Sequence, residues 1–570
     1  MYLTSRFSPI PPFPNKNIEE ILFNFPGQEG LPDHTLHIDA LTGRRRSKKE
    51  FAERVRDAST ALGSPASDGG LGLSGEAGDI VGICSTNCME YITLVHSLLA
   101  ITTPFALISA FSTPFELAHA LRVSGATRLF VQPSVLSRVQ AAAREVGLPD
   151  DRIHILEGHD FERKSLEDLI YDARLRSIPR VPIRPAKQNT LAYLIFSSGT
   201  SGLPKAVMIS HGNLYATVMS FAIARMAELE VDPQPVTLQP VVGLAVLPFH
   251  HAYGLLVSCI TPVVGLNTCV ILPTWDVRSV LRAVPRFKIN VLVMVPSGLH
   301  QIANTKEVSE MDLSSVSVAS SGAAYLPPLL ADKVKKLLPT LTRLTEGYGL
   351  SECTLSALRK PVPGILGGQQ PKRNSTGILL PGMEARIVRE DGSEAGYNEP
   401  GELWLRGMNV ALGYYKNPKA TGETFVDGWL HTGDKFKVDE TEAFYFVDRA
   451  KDTLKVSGVQ VSPTEIEEVI RSHPGKLVVD VSVAGVSGGR TQDEKVPRAW
   501  IVLSEAGIAR GEASVAEELN SWVKKNLSPY KWLRGGLEVV QEIPKSPTGK
   551  VLRRHLQDKY EEQSKSRAKL

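Results

Sequence analysis

The chain has few cysteines, almost no excess charge and no long apolar run. Its 570 residues include five cysteines: Cys84, Cys88, Cys259, Cys269 and Cys353. Thiols this few and scattered exclude a disulfide framework. No second Cys or His pair lies near Cys84 and Cys88 to complete a zinc site, so the thiols read as reduced and buried. Lys and Arg number 64 against 61 Asp and Glu, a formal charge of +3. No broad basic field points to a nucleic-acid partner. The most apolar stretch, 241–273, is interrupted by His250, His251, Pro262 and Asn267. It reads as a buried helix and strand, and no transmembrane segment is expected. The first 15 residues lack a basic region followed by an apolar one, so no secretory signal is expected.

At this length two or more domains are expected, and 42% hydrophobic with 22% charged residues is a globular composition. Strand and helix patterns alternate from Asp79 to Leu156. Strands are expected over 79–84, 128–131 and 152–156, helices over 89–101, 115–123 and 135–146. The rhythm resumes with a helix over 277–284, ending before Pro285, and a strand over 290–295. It argues for parallel α/β layers. From about Gly377 short strands at 382–388, 401–406 and 443–447, split by Gly, Pro, Asn and Asp, read as an antiparallel, barrel-like subdomain. A boundary falls near Asp448–Asp452, and a small α+β pattern follows. There Ser462-Pro463-Thr464-Glu465 combines a capping box with proline at the first helical position. Strands are expected over 478–483 and 499–503, and disorder from about Glu561.

Ser197-Ser198-Gly199-Thr200-Ser201-Gly202-Leu203-Pro204-Lys205 follows the apolar run 191–196. Glycines let backbone N–H groups turn toward an anion, hydroxyls donate further hydrogen bonds, and the lysine supplies charge. The spacing is not that of a Walker A loop, because Pro204 stands where its second glycine would be. This order of residues resembles the nucleotide-binding signature of the acyl-adenylate-forming superfamily, in its acyl- and aryl-CoA synthetase branch. The resemblance runs from roughly Asp79 to Arg554 and rests on further motifs in order. Pro248-Phe-His-His-Ala-Tyr-Gly254 resembles the segment beside the acyl pocket, with His251 at the family histidine. Gly322-Ala323-Ala324 resembles the small-residue turn, and Gly347-Tyr348-Gly349-Leu350-Ser351-Glu352 the second ATP motif. Trp429–Asp434, Arg449, and Pro544–Lys550 match later signatures.

The resemblance implies roles. Ser351 would contact phosphate, and Glu352 would help to hold Mg²⁺. Asp434 and Arg449 would hold the ribose, and Lys451 would be the hinge. Lys455, Gly458 and Gln460 fit the Lys-x-x-Gly-x-Gln pattern of plant coumarate-CoA ligases, which faces the site in the second half-reaction. Lys550 would bridge the substrate carboxylate and the α-phosphate. The implied architecture is an adenylation domain over 1–448 (377–448 barrel-like), a hinge over 449–452, a mobile domain over 453–560 and a tail over 561–570. The implied reaction joins a carboxylic acid to CoA, with ATP cleaved to AMP. A luciferase-type oxygenase and a ligase loading a carrier protein are the alternatives.

Departures bear on the acid. Leu355 and Ser356 replace the Pro-Val pair of coumarate-CoA ligases, Ser320 replaces their lysine, and Ala206 replaces a glycine. The C-terminal half resembles fungal phenylacetyl-CoA-type ligases. No aspartate in 248–254 is placed to hold a substrate ammonium, which argues against an amino acid. Tyr253, Gly254, Gly322, Ala323, Leu355 and Ser356, the expected pocket side, are small or mostly apolar and carry no fixed charge. A hydrophobic aryl or medium-chain acid is therefore expected. The terminal Ala568-Lys569-Leu570 resembles the peroxisomal signal Ser-Lys-Leu, implying an import receptor as partner and the peroxisome as location, or the cytosol if the tripeptide is not read.

Overall fold

A computed structural model describes residues 1–570 except 198–202, 234–239, 325, 327, 450–453, 457–458, 489–494, 545–550 and 568–570. The chain divides into two compact units. The first gathers Met1–Ala110, Ala120–Phe196 and Ala206–Asp448, and the second Phe111–His119, Ser197–Lys205 and Arg449–Leu570.

Two sheets carry the expected α/β rhythm. In one, Ile153–Ile155, Arg128–Val131, Val81–Ser85, Phe105–Ser109 and Leu191–Ser197 lie side by side in parallel. Val81–Ser85 is buried at every position, as a strand covered on both faces must be. In the other, the parallel core runs in the order Arg343–Tyr348, Val318–Ser321, Val291–Met294, Val241–Ala245, Asn267–Ile271, Thr35–Asp39. Antiparallel strands close both of its ends. A third, antiparallel sheet contains Glu384–Val388, Gly401–Arg406 and Trp429–Val438. Its outermost strand is Tyr2–Thr4, paired with Glu384–Arg386. Three residues are too few for a periodicity to show, so sequence reading missed it.

No described helix is long and apolar enough to cross a membrane. The stretch 241–273 folds as a strand, a short run of helical turns and a second strand. All five cysteines are free thiols. The helix expected to stop at Val284 continues through Pro285 to Phe287. Proline removes one hydrogen bond near the C-terminal end, and the buried Val280, Leu281 and Val284 hold the helix in place regardless.

The second unit pairs Val478–Ser487 with Lys495–Leu503 and adds Leu537–Val539 in parallel. Both long strands extend well past the expected limits. The capping box expected at Ser462 is not formed. Ser462 gives no side-chain cap, and its hydroxyl meets that of Thr464 at 2.7 Å. Glu465 has been drawn away: its carboxylate lies fully buried, 2.6 Å from the Lys531 ammonium, which also meets Glu116 at 2.8 Å. A buried ion pair outbids a cap because either charge left alone in the interior costs several kcal/mol. The tail expected to be disordered from Glu561 is helical over Arg553–Arg567. Leu556 packs in a core with Trp500 and Val486, Tyr560 lies against it, and Glu561 pairs with Lys495 at 3.0 Å. Charge alone misled the sequence reading, since one apolar edge suffices to dock a charged helix.

Helix His211–Val231 opens on a buried histidine. The Nδ1 atom of His211 accepts the Ile18 N–H at 3.3 Å, and burial holds its pKa down to about 3. A helix N-terminus is also a poor place for a cation. The folded state thus keeps this ring neutral while the unfolded chain protonates near pH 6.5. Stability contributed here is present above that pH and is lost as pH falls from about 6.5 toward 3. His211→Asn is expected to flatten the fall in unfolding free energy between pH 6.5 and 4. Urea titrations at half-unit intervals would read it, and an unchanged slope would contradict it.

Candidate active site

The segment after strand Arg343–Tyr348 makes a tight turn. A side chain at Gly349 would put its first carbon 1.5 Å from the Leu355 carbonyl oxygen, so only glycine fits. Thr354 sits at φ +63°, a conformation a threonine rarely adopts. Its hydroxyl donates to Asn409 O at 2.6 Å, and the Asn409 amide donates to Cys353 O and Ser356 O at 3.2 and 3.3 Å. The strained turn is therefore over-determined by a second chain segment, as such turns must be. It projects Ser351 and Glu352. Glu352 is 5% exposed. The Tyr414 hydroxyl donates to one of its oxygens at 2.9 Å, and Ala411 N donates to its carbonyl at 2.9 Å. The same 411–415 segment bonds to the strand that follows the phosphate loop, with Leu412 N on Met208 O at 3.0 Å and Tyr415 N on Ala206 O at 2.8 Å.

Asp434 lies 86 residues beyond Tyr348 in sequence, yet the Tyr348 hydroxyl donates to its carboxylate at 2.7 Å. Asp434 is 5% exposed, and its own N–H is held by Thr432 Oγ1 at 3.1 Å. Burial, then the Asp434 charge, pushes the Tyr348 phenol well up from its usual range, so the tyrosine stays a donor and fixes the carboxylate. Tyr348→Phe is expected to raise the ATP KM about tenfold, leave the acid KM within twofold, and cost about 1–3 kcal/mol by leaving a buried acceptor short of a donor. Initial rates and a melting curve would measure both. An acid KM that moved instead would place Asp434 elsewhere in the chemistry.

The Gly322-Ala323-Ala324 turn leaves the end of strand Val318–Ser321, with Ala323 at φ +65°. Tyr253 lies across it: its ring is 3.1 Å from where a Gly322 side chain would begin, and its hydroxyl meets Ser320 Oγ at 3.4 Å. Burial pushes the Tyr253 phenol up to about 12. His250 and His251 have ring centroids 4.4 Å apart. Burial holds His251 down to about 4, and burial with its neighbour holds His250 well below the usual range, so both rings are neutral near pH 7. A side chain at Gly254 would begin 2.2 Å from Pro248 O and 2.7 Å from Leu247 O, so glycine there permits a close backbone turn. Leu355 is buried in the main core, while Ser356 is half-buried.

Ser198, Gly199, Thr200, Ser201, Gly202, Lys451, Gly458 and Lys550 lie outside the described residues, as do the side chains of Arg449, Lys455 and Gln460. Ser197 ends a strand and Lys205 begins one. Lys455 and Gln460 stand directly opposite each other in a two-stranded ribbon. Sequence reasoning missed Tyr414 and Asn409. The signal for Tyr414 was Gly413-Tyr414-Tyr415, a glycine at φ +126° beside two aromatics. Asn409 carried no signal, since its work is done on backbone atoms.

Glu352 and the small-residue turn covered by Tyr253 follow the carboxyl ends of the neighbouring parallel strands Arg343–Tyr348 and Val318–Ser321, and Asp434, on an antiparallel strand, is tied to the first of them through Tyr348. With the Ser/Gly-rich sequence 197–205, that arrangement agrees with the adenylate-forming class that the motifs imply. The chain belongs to the AMP-binding enzyme family: that family's profile matches residues 28–415, and the AMP-binding enzyme C-terminal domain matches 465–550. It is 30% identical over 544 residues to acyl-CoA ligase AKT1 of Alternaria alternata, covering 92% of this chain and 90% of the relative. It is 30% identical over 572 residues to probable 4-coumarate–CoA ligase 1 of Dictyostelium discoideum, covering 98% and 97%. Among solved structures, it superimposes on a long-chain-fatty-acid–CoA ligase of Archaeoglobus fulgidus with a TM-score of 0.70 and 22% identity over 93% of this chain and 98% of that one. The protein is an AMP-forming CoA ligase.

Proposed function

We propose that the protein joins a hydrophobic aryl or medium-chain carboxylic acid to CoA, in peroxisomes. The observation that carries the substrate reading is the Tyr253 ring lying over the Gly322 turn. It packs an aromatic ring directly on a bare backbone and so offers one continuous apolar surface along which an acyl group can lie. A carboxylate cannot acylate a thiol directly, because oxide would have to leave. Its attack on the α-phosphorus of ATP expels pyrophosphate and makes an acyl-adenylate. The CoA thiolate then attacks the acyl carbon and AMP departs, so one hard step becomes two easier ones. Asp434, fixed by Tyr348, accepts the ribose hydroxyls. Neutral His251 adds no charge beside the reacting carboxylate, and Lys550 offsets charge on the α-phosphate and the attacking oxygen.

The residues fit a magnesium ion. Glu352 presents one carboxylate, anchored through one oxygen by Tyr414, and a hard cation carried by phosphates needs few protein oxygens. When bound, Mg²⁺ neutralises phosphate charge. No group of three or more His, Cys, Asp or Glu able to hold a metal occurs among the described residues, which suits an ion that arrives with its nucleotide.

CoA-dependent AMP release across acetate, alanine, phenylacetate, cinnamates and hexanoate to octanoate tests the substrate, with each thioester identified by mass. Larger apolar acids should exceed acetate in kcat/KM, at about 0.8 kcal/mol per buried methylene. Acetate or alanine in first place would overturn this reading. Deleting Ala568-Lys569-Leu570 should move a fluorescent fusion from peroxisomes to cytosol with activity unchanged. A cytosolic intact fusion would defeat the location.

A further inference from the structure

The central sheet has one face that is not sealed. Along Val291–Met294 and Val318–Ser321, Leu292, Met294, Ala319 and Ser321 are buried, whereas Val291, Val293, Val318 and Ser320 are half-exposed. Register carries this open face across to the next strands. Ser320 pairs with Thr345, Val318 with Arg343, and Gly347 with Arg359, and directly paired residues point the same way. Tyr253, through Ser320 and Gly322, thus stands over the same face as Thr345, Arg343 and Arg359. From Ser320 to the strand bearing Arg359 is two strand spacings, about 10 Å.

Helix His211–Val231 meets this face through Glu228. Arg225 and Glu228 are one turn apart on it, and Asp232 caps it. The Glu228 carboxylate, 7% exposed, is met by Arg343 at 2.9 Å, by Arg225 at 3.3 Å, and by Arg359. Arg343 also meets Asp232 at 3.1 Å. Three guanidiniums thus gather on two carboxylates among the described residues. The Arg343 and Arg359 side chains are 22% and 28% exposed. Burial lowers the Arg359 pKa from its usual value; the Glu228 charge opposes this, and the like-charged Arg343 and Arg225 add to it. The sequence reading, which saw no fixed charge at the pocket, named only residues of the family motifs. Arg343 and Arg359 reach the face through register alone.

We infer that Arg359 and Arg343 form the distal end of the acyl site and bind a second carboxylate, carried by the substrate at the end of its apolar body. This rests on the ligase reading above and specifies the acid. A plain methyl terminus would desolvate a surplus guanidinium without repaying it. A carboxylate would complete the cluster with charge-assisted, fork-matched hydrogen bonds.

The test compares acids of one skeleton with and without the second carboxylate: octanedioate against octanoate, and 3-(4-carboxyphenyl)propanoate against 3-phenylpropanoate. CoA-dependent AMP release should favour the diacid at least tenfold in kcat/KM for one pair. Arg359→Met should lower that ratio tenfold or more, chiefly through the diacid KM, and Arg359→Lys should restore part of it. A wild-type preference for the monoacid in both pairs overturns the inference whatever the variants do, and leaves the ligase reading standing. A ratio unmoved in a variant with wild-type melting temperature also overturns it, and reduces the cluster to a tie between helix and sheet. AMP release with none of the four acids overturns the inference together with the substrate reading.

Discussion

Gly349→Ala is expected to remove at least about 99% of adenylate formation. The added carbon would begin 1.5 Å from the Leu355 carbonyl oxygen and 2.5 Å from its carbon. Both are backbone atoms of the turn itself, so no side-chain rotation relieves the clash. The turn must open, and it carries Ser351 and Glu352 with it. Displacing such groups by about 1 Å costs on the order of 10²-fold. Because Asn409 and Tyr414 hold the turn from outside, their bonds should break too and the melting temperature should fall. Pyrophosphate exchange reads the chemistry and calorimetry the fold. Exchange within threefold of wild type would mean that the turn does not position the nucleotide.

Lys550→Ala should abolish adenylate formation while sparing thioester formation from preformed acyl-adenylate. The argument is electrostatic. On the mechanism proposed above, the first step brings the carboxylate anion onto the α-phosphate and builds charge on the phosphate oxygens, and the Lys550 ammonium beside them would stabilise that arrangement more than the ground state. Loss of one such group costs on the order of 10²–10³-fold. In the second step the acyl group is already a neutral anhydride of AMP, so the thiolate attacks it with no carboxylate charge left to offset. Pyrophosphate exchange, run beside single turnover on synthetic adenylate, separates the two. Equal losses in both would end the division of labour.

What could be read in the sequence follows from locality. Strand Val81–Ser85 and helix Met89–Ala100 carry their pattern within a dozen residues. The Gly347–Glu352 motif is equally local, and so is the glycine that its turn demands. The strand Tyr2–Thr4 and the docked helix after Leu552 depend on partners hundreds or tens of residues away. The Ser462 cap failed for the same reason, since Lys531 competes for Glu465. Within the site, Tyr348 and Asp434 were each visible, but the bond between them was not. The close backbone approach at Gly254 was equally hidden, since it depends on the distance to Pro248 O and leaves no mark in sequence.

The pairing of Tyr2–Thr4 with Glu384–Arg386 sets a clock on biosynthesis. Residues 2–4 wait for a partner made some 380 residues later, which at about 5–20 residues per second is on the order of 20–80 s. Every strand of the two parallel sheets precedes Glu384 in the chain, so these sheets can form while this pairing is still pending. The contact is a long-range closure whose loop entropy is met only when the antiparallel sheet begins to be made.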